Sequence, residues 1–217
     1  MKKLVLIAAI VMVVLLPLVA SAQATDEERD MLEVSINGGL GLPVGSVKTW
    51  NDTLGSKTGL GFGGEIGLFL NKDMVLGMEF NYYQMGINTE SSADQLKHRL
   101  YSSSLFLKRY FSGNSNFSPY VKLNAGLDFP KFATFVTDGG VGKFRELSYK
   151  GSFSLGIGAG LFYYTSDFSG IYAEANYHQV FSNGTKKVYQ NQEYRFDGGI
   201  SLIALKAGIR VFFGSGG

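Results

Sequence analysis

The sequence predicts an all-β protein: one up-and-down antiparallel barrel of eight strands that crosses a membrane. Three observations predict this fold. Apolar residues alternate with polar residues or glycine over eight stretches, as they do when side chains of a strand point to opposite sides in turn. The connections between these stretches are alternately long and short, which places all the long ones at one end. The charged residues share the second face of the strands, whereas a soluble barrel has an apolar interior and a charged exterior.

The chain begins with the features of a cleavable signal peptide. Lys2 and Lys3 precede an apolar run over residues 4–20, and Ala20-Ser21-Ala22 is a small-x-small cleavage site. We expect cleavage after Ala22, with cleavage after Ala24 as the alternative. An uncleaved anchor is the competing interpretation, but the run is shorter than the roughly 18 residues that indicate a spanning helix. The predicted boundaries are therefore 1–22 for the signal peptide, 23–30 for a flexible lead, 31–213 for the barrel domain and 214–217 for a short tail.

The first four strands follow in order, separated by a polar loop over 43–58, a tight turn at 71–73 and a second polar loop over 86–96. Each has one face that is almost uninterrupted apolar surface. These faces are Leu32, Val34, Ile36, Leu40 and Leu42; Leu60, Phe62, Ile66, Leu68 and Leu70; Leu76, Met78, Phe80 and Tyr82; and Tyr101, Ser103, Leu105 and Leu107.

The last four strands repeat the pattern, with short turns at 112–118 and 165–169 and long loops over 131–148 and 182–198. Their apolar faces are Val121, Leu123, Ala125, Leu127 and Phe129; Phe153, Leu155, Ile157, Ala159, Leu161 and Tyr163; Ile171, Ala173, Ala175 and Tyr177; and Ile203, Leu205, Ala207, Ile209, Val211 and Phe213. The final strand exceeds ten residues and so reaches the roughly 9–11 that a tilted strand needs to cross a bilayer.

Charged residues converge on the inward face of these strands. An eight-stranded barrel is just wide enough for its side chains to fill, so opposite charges inside it should pair. We expect Glu79 and Lys122 to belong to one network, bridged by Lys108, with Tyr83, Asn81 and Asn124 contributing hydrogen bonds. The predicted network is Glu65, Glu79, Lys108, Lys122, Asp128, Glu174, Lys206 and Arg210.

The end of the chain, Lys206-x-Gly208-x-x-Val211-x-Phe213, resembles the C-terminal assembly signal of bacterial outer-membrane β-barrels. The stretch Arg99-Leu-Tyr-Ser-Ser-Ser-Leu-Phe-Leu-Lys-Arg-Tyr-Phe111, followed by Pro119-Tyr120 and Ala125-Gly126, is similar to the central strand pair of the small outer-membrane barrel family of Bacteroidota-type bacteria. The resemblance implies export through the periplasm, contact with outer-membrane lipids and delivery by the barrel-assembly machinery. That family has no shared catalytic residues, so the resemblance supplies none.

Aromatic residues near the strand ends are typical of the girdles that lie at the two membrane interfaces. We expect Tyr82, Tyr101 and Tyr177 to form the girdle on the side of the long loops. The girdle on the side of the short turns should contain Phe69, Tyr110, Phe111, Tyr163 and Phe213.

The sequence favours no catalytic, cofactor or metal site. Gly59-x-Gly61-x-x-Gly64 matches a dinucleotide-binding fingerprint, but a strand pattern runs through it where a helix should begin, so strand glycines explain it better. His98 with Ser102 or Ser104 and Glu90 could in principle form the triad of a lipid hydrolase. The chain has no Cys and two separated histidines, which excludes thiolate ligation and disfavours a metal site.

Removal of Lys2 and Lys3 leaves equal numbers of basic and acidic side chains, so nothing indicates binding to nucleic acid. We predict a non-enzymatic outer-membrane protein that acts as an anchor or surface-interaction protein through its loops, with an extracellular partner that the sequence does not identify. Alternatives are a narrow porin-like channel and a membrane-embedded lipid hydrolase. Loop cations placed just outside the membrane could contact lipopolysaccharide phosphates. These cations are Lys143, Arg145, Lys186, Lys187 and Arg195.

The C-terminal signal leads to a first testable prediction. Replacing Phe213 or Gly208 with Asp should lower the amount of assembled protein in outer-membrane fractions, because a sheet that fails to close leaves backbone groups unsatisfied in lipid at several kcal/mol each. Heat-modifiable migration in gels measures assembly. Wild-type levels of the heat-modifiable form in both variants would contradict the signal.

Overall fold

The computed structural model describes residues 32–45, 56–87, 97–111, 116–138, 141–181, 185–189, 192–196 and 199–214. The predicted signal peptide and flexible lead lie outside the described residues. Within the described ranges no helix is long and apolar enough to cross a membrane. The strands are β1 Leu32–Val44, β2 Ser56–Asn71, β3 Met74–Ile87, β4 His98–Tyr110, β5 Phe117–Asp138, β6 Val141–Ser148, β7 Ser152–Ser166, β8 Ser169–Phe181, β9 Thr185–Tyr189, β10 Gln192–Phe196 and β11 Ile200–Phe213.

The strands close into the predicted barrel. One sheet has the order β4-β3-β2-β1-β11-β8-β7-β5-β6, and an additional β4–β5 pairing closes it into an eight-stranded antiparallel barrel. The last strand pairs with the first, from Leu32 opposite Phe213 to Val44 opposite Ser201. Closure matters because a free strand edge in hydrocarbon would leave its N–H and C=O groups without partners. The predicted pairing of the two terminal strands is therefore confirmed.

Two of the long connections are more ordered than the sequence predicted. The sequence predicts loops over residues 131–148 and 182–198, but β5 continues to Asp138 and pairs with β6, with Lys131 opposite Ser148 and Asp138 opposite Val141. Likewise β9 and β10 pair with each other, with Thr185 opposite Phe196. The sequence pattern concealed these strands because they lack the continuous apolar outer face of a membrane strand, although Phe132 and Leu147 at the base of the β5–β6 hairpin are buried.

The inward and outward faces follow the predicted alternation in all eight barrel strands. Outward apolar side chains are widely exposed, as Leu60 at 71% and Ile36 at 67% illustrate, whereas Lys108, Lys122 and Arg210 are fully buried inside. This distribution is the inverse of that in a soluble barrel, because the solvent outside is lipid. The all-β transmembrane fold is confirmed.

The predicted aromatic girdles need one correction. Tyr101, Tyr177, Phe111 and Phe213 are exposed on the outer surface. Phe69 and Tyr110 were wrongly placed in the turn-side girdle, because they lie on the inward face and their rings stack inside the barrel with centroids 6.2 Å apart. Their positions in the alternation of β2 and β4 already required the inward face, and the clustering of aromatic residues at strand ends concealed it.

The outward face of β5 provides a test of this arrangement. Arg at Leu123, near mid-span, should destabilise the protein by about 2–4 kcal/mol, because a charge there enters hydrocarbon. Arg at Phe117, an outward residue at the turn-side end of the same strand, should cost only about 1 kcal/mol, since the headgroups are within reach. Urea titrations of refolding into lipid vesicles measure both values. Equal costs at the two positions would contradict the depth assignment.

Candidate functional site: an ion network in the barrel interior

Eight charged side chains fill the middle of the barrel, and we call them the interior ion network. Every member lies within 4 Å of a member of opposite charge, and all are almost completely buried. Four are carboxylates and four are cations, so their formal charges balance. The members are Glu33, Glu65, Glu79, Glu174, Lys108, Lys122, Lys206 and Arg210.

Lys122 on β5 is the centre of this network. Its Nζ lies 2.8 Å from Glu65 Oε1, 3.0 Å from Glu79 Oε2 and 2.6 Å from Glu174 Oε1. The ammonium group donates hydrogen bonds to Glu65 and Glu79 and forms an ion pair with Glu174, so it contacts carboxylates of three different strands. Lys206 lies beside the same carboxylates, with Nζ 3.4 Å from Glu79 Oε2 and 3.7 Å from Glu174 Oε1.

The part of the network nearer the short turns is organised by Glu33 and Arg210. Lys108 Nζ pairs with Glu33 Oε1 and lies 2.8 Å from Glu65 Oε2. Arg210 contacts the same two carboxylates, at 3.2 Å from Glu33 and 3.3 Å from Glu65. Tyr110 links them, because its hydroxyl donates to Glu33 Oε2 at 2.6 Å and accepts from Arg210 Nη1 at 2.7 Å. Glu65 thus joins this group to Lys122.

Neutral polar groups complete the coordination of the carboxylates. Glu79 Oε1 accepts hydrogen bonds from Asn124 Nδ2 and, at 3.0 Å, from Ser104 Oγ. Glu174 Oε2 accepts from the Tyr120 hydroxyl at 3.0 Å. Charge-assisted hydrogen bonds of this kind are roughly twice as strong as neutral ones. They offset the cost of removing the carboxylates from water.

Seven of the eight charges that the sequence singled out lie in the network, and one lies apart. Asp128 pairs with His178, whose Nε2 lies 3.0 Å from Asp128 Oδ2. Glu33 takes the place of Asp128 among the carboxylates. The alternation of the first strand put Glu33 on the inward face and could have identified it. The expected bridge is also different, because Lys122 contacts Glu79 directly and Lys108 turns toward Glu33 and Glu65 instead.

Two apolar layers enclose the network along the barrel axis. On the turn side, the aromatic rings of β4, β5, β7, β8 and β11 pack together, namely Phe106, Tyr110, Tyr120, Phe162, Tyr172 and Phe212. The layer on the loop side includes Tyr83, Met85, Leu100, Phe132, Leu147, Ile200 and Leu202. Arg210 contacts the turn-side layer, with its guanidinium carbon 4.1 Å from the centre of the Tyr172 ring. Cations close to aromatic faces are stabilised further.

Glycines make room for the large interior side chains. A Cβ atom on Gly160 would collide with the hydroxyl end of Tyr120, and one on Gly156 would collide with the Asn124 amide. Both side chains bind network carboxylates, so these two glycines permit the network to form. Gly59, Gly61 and Gly64 likewise lie inside strand β2 with no helix following. The structure therefore gives the fingerprint-like spacing a role in strand packing.

The residues considered for a hydrolase triad, a metal site and the assembly signal do not form one common site among the described residues. His98 Nδ1 lies 2.6 Å from Ser56 Oγ, whereas the Ser104 hydroxyl donates to Glu79. These two members of the hypothetical triad therefore have different partners. Glu90, the third member, lies outside the described residues. Among the described residues, no group of three or more His, Asp or Glu is placed to hold a metal ion. Of the assembly-signal residues, Lys206 and Gly208 face inward, while Val211 and Phe213 face outward beside the start of β1.

Comparisons with known proteins agree with this geometry. The family model of the outer membrane protein β-barrel domain matches residues 11–202, so the chain belongs to this family of bacterial outer-membrane proteins. No curated protein sequence matches the chain.

Solved structures share the fold. Neisserial surface protein A is 20% identical, with a TM-score of 0.54 over 84% of this chain and 97% of that one. The outer membrane protein AlkL, determined in lipid bilayers, is 15% identical, with a TM-score of 0.54 over 90% and 95%. OprG from Pseudomonas aeruginosa is 12% identical, with a TM-score of 0.50 over 86% and 98%. The protein is thus an outer-membrane β-barrel, in contact with the lipids of that membrane.

The network predicts a large effect of a single neutral substitution. Glu65→Gln should destabilise the protein by about 3–5 kcal/mol, because it leaves buried cations without their shared counter-charge. Asp167→Asn in the exposed β7–β8 turn removes one negative charge from the same protein and is the matched control. Urea titrations in lipid vesicles measure both, and similar midpoints for the two variants would contradict the shared role of Glu65.

Proposed function

We propose that the chain is a surface-interaction protein of the outer membrane, in which a closed barrel anchors the long connections. One observation carries this proposal: the interior is filled. Lys108, Lys122 and Arg210 are fully buried at the centre, and apolar layers lie on both sides of them. A diffusing solute would have to separate buried ion pairs that share their counter-charges, as Lys122 does with Glu65, Glu79 and Glu174, which is costly in a poorly hydrated interior.

The position of the long connections supports a role in interactions at the cell surface. The β5–β6 hairpin and the β9–β10 hairpin lie on the side opposite the short turns, which in outer-membrane barrels is the extracellular side. Lys143, Arg145, Lys186, Lys187 and Arg195 belong to these hairpin strands. Cations in this position support contact with the phosphates of lipopolysaccharide, and the hairpins offer a surface to an extracellular partner.

Assembly by the barrel-assembly machinery is part of the same proposal. Phe213 is 53% exposed at the end of the last strand, on the outer surface, and lies opposite Leu32. An exposed aromatic at the closing seam suits recognition before the seam is sealed. The predicted signal peptide would supply export to the periplasm.

Measurements of conductance test whether the interior of the barrel is closed to solutes. In planar bilayers the natural chain should show at most small, irregular current. Replacing Glu65, Glu79 and Lys122 together with Ala should raise the current, because it removes the central ion pairs and leaves space for water.

The matched control replaces Lys72, Asp73 and Asp167 with Ala, which removes three charges from the turns and should leave the current unchanged. Heat-modifiable migration verifies that each variant is assembled. A large, steady current from the natural chain would overturn the anchor and favour a porin-like channel.

A further inference from the structure

An apolar groove lies on the outer surface of the wall formed by β2, β3, β4 and β5. It has a volume of about 430 Å³ and lies near the loop side of the barrel. Four outward aromatic residues on neighbouring strands form its upper part: Phe62 lies opposite Tyr82, Tyr82 opposite Tyr101, and Tyr101 opposite Phe129. The centres of the first three rings are 5.0 Å apart in succession.

Two small residues, Gly64 and Ser103, deepen the lower part of the groove. The next outward row toward mid-membrane is Gly64, Phe80, Ser103 and Leu127. Gly64 and Ser103 leave depressions on both sides of the Phe80 ring, within a surface that is otherwise covered by large side chains. A depression of this kind in a lipid-facing wall is filled by hydrocarbon, because only acyl chains are available at this depth.

Cations lie directly above the aromatic row. The next outward residues toward the loops are Arg99 on β4 and Lys131 on β5, which lie opposite each other. Lys150 is exposed just before β7, where Tyr149 N–H donates to Pro130 and a Cβ on Gly151 would lie 2.8 Å from the Phe129 ring. Three cations on three neighbouring segments thus border the groove.

The rim of the opposite wall differs. The corresponding outward row on β8, β11 and β1 is Gln179, Ser201 and Val44, with Gln179 opposite Ser201 and Ser201 opposite Val44. None of these three is charged, so at the level of this row the cations lie on the same wall as the groove. Cations at the headgroup level next to an apolar groove match an amphiphile with a negatively charged head.

The spacing of the cations leaves room for more than one phosphate. Neighbouring strands lie about 4.8 Å apart, so a rim that runs from β4 to β7 spans roughly 10 Å. A rim of this width offers cations to a headgroup that has more than one phosphate. Glu146 occupies one side of Arg99, with Arg99 Nη1 2.9 Å from Glu146 Oε2, and the guanidinium has further donors for a phosphate.

We propose that this wall binds a phosphorylated, acylated glycolipid of the outer leaflet, with Arg99, Lys131 and Lys150 on its phosphates and an acyl chain in the groove over Gly64 and Ser103. The inference rests on the proposed orientation, in which the long connections are extracellular. It is independent of whether the interior conducts.

Native mass spectrometry of the refolded full chain in detergent micelles tests the site, with bisphosphorylated lipid A as the probe. The double variant Arg99→Gln/Lys131→Gln should bind it about tenfold more weakly, because it removes two charge-assisted contacts. The control Lys72→Gln/Arg109→Gln removes two cations from the turn-side rim and should change binding less than about twofold. Equal weakening in both doubles would overturn the site.

Three further variants distinguish loss of the site from general damage to the fold. Ser103→Trp should weaken lipid A binding by filling the groove, whereas Ala159→Trp, on the outward face of β7, should not. Glu146→Gln should strengthen binding by removing the nearby negative charge, an effect that a disordered rim could not produce.

Binding of phosphatidylglycerol as tight as that of lipid A, with the same sensitivity to Arg99→Gln/Lys131→Gln, would overturn the glycolipid assignment. Each variant should keep the conductance of the natural chain. A change in conductance bears on the anchor proposal, and a loss of lipid A binding at unchanged conductance bears only on this site.

Discussion

The constraint on which this structure depends is the burial of charge in a narrow barrel. Lys122 has carboxylates at 2.8, 3.0 and 2.6 Å, and Glu65 is shared among Lys108, Lys122 and Arg210. Taking ions out of water costs several kcal/mol each, and only close, multiple pairing offsets that cost. The pairing requires that all the strands stand in one fixed register. The network therefore ties together β1, β2, β3, β4, β5, β8 and β11, which are far apart in the chain.

The register of each strand is fixed both by the lipid outside the barrel and by the ion pairs inside it. A slip of one residue in any strand would exchange its two faces. On β3, such a slip would move Glu79 into lipid and Phe80 into the network. The lipid outside and the ion pairs inside therefore both oppose the same error. This double penalty explains why the charges of the network lie on inward positions and why the outward positions near mid-membrane are apolar, small or hydroxylic residues.

Alternation in the sequence was sufficient to predict the eight strands, their faces and the closure of β11 on β1, because a strand in a membrane barrel must have one apolar face along its full length. It could not predict which charges meet. That depends on strand tilt and stagger, which bring Glu33 on β1 within reach of Lys108 on β4 and leave Asp128 with His178. It also missed the β5–β6 and β9–β10 hairpins, because strands beyond the membrane need not keep an apolar face. Aromatic type alone suggests a girdle position for Phe69 and Tyr110, but their place in the alternation puts both rings inside the barrel.

Because the interior charges pair with one another, a charged ligand has to be recognised by the outer surface of the barrel. The four carboxylates and four cations satisfy one another, so they offer no unpaired charge to a ligand. The outward surface is less uniform: Arg99, Lys131 and Lys150 are charged at the edge of the groove, whereas the row at Gln179, Ser201 and Val44 has no charge. An anchor that needed only to remain in the membrane would have no use for such asymmetry, since aromatic girdles alone fix its depth. In the proposed glycolipid site, the uneven rim makes one wall of the barrel the side that contacts charged lipids.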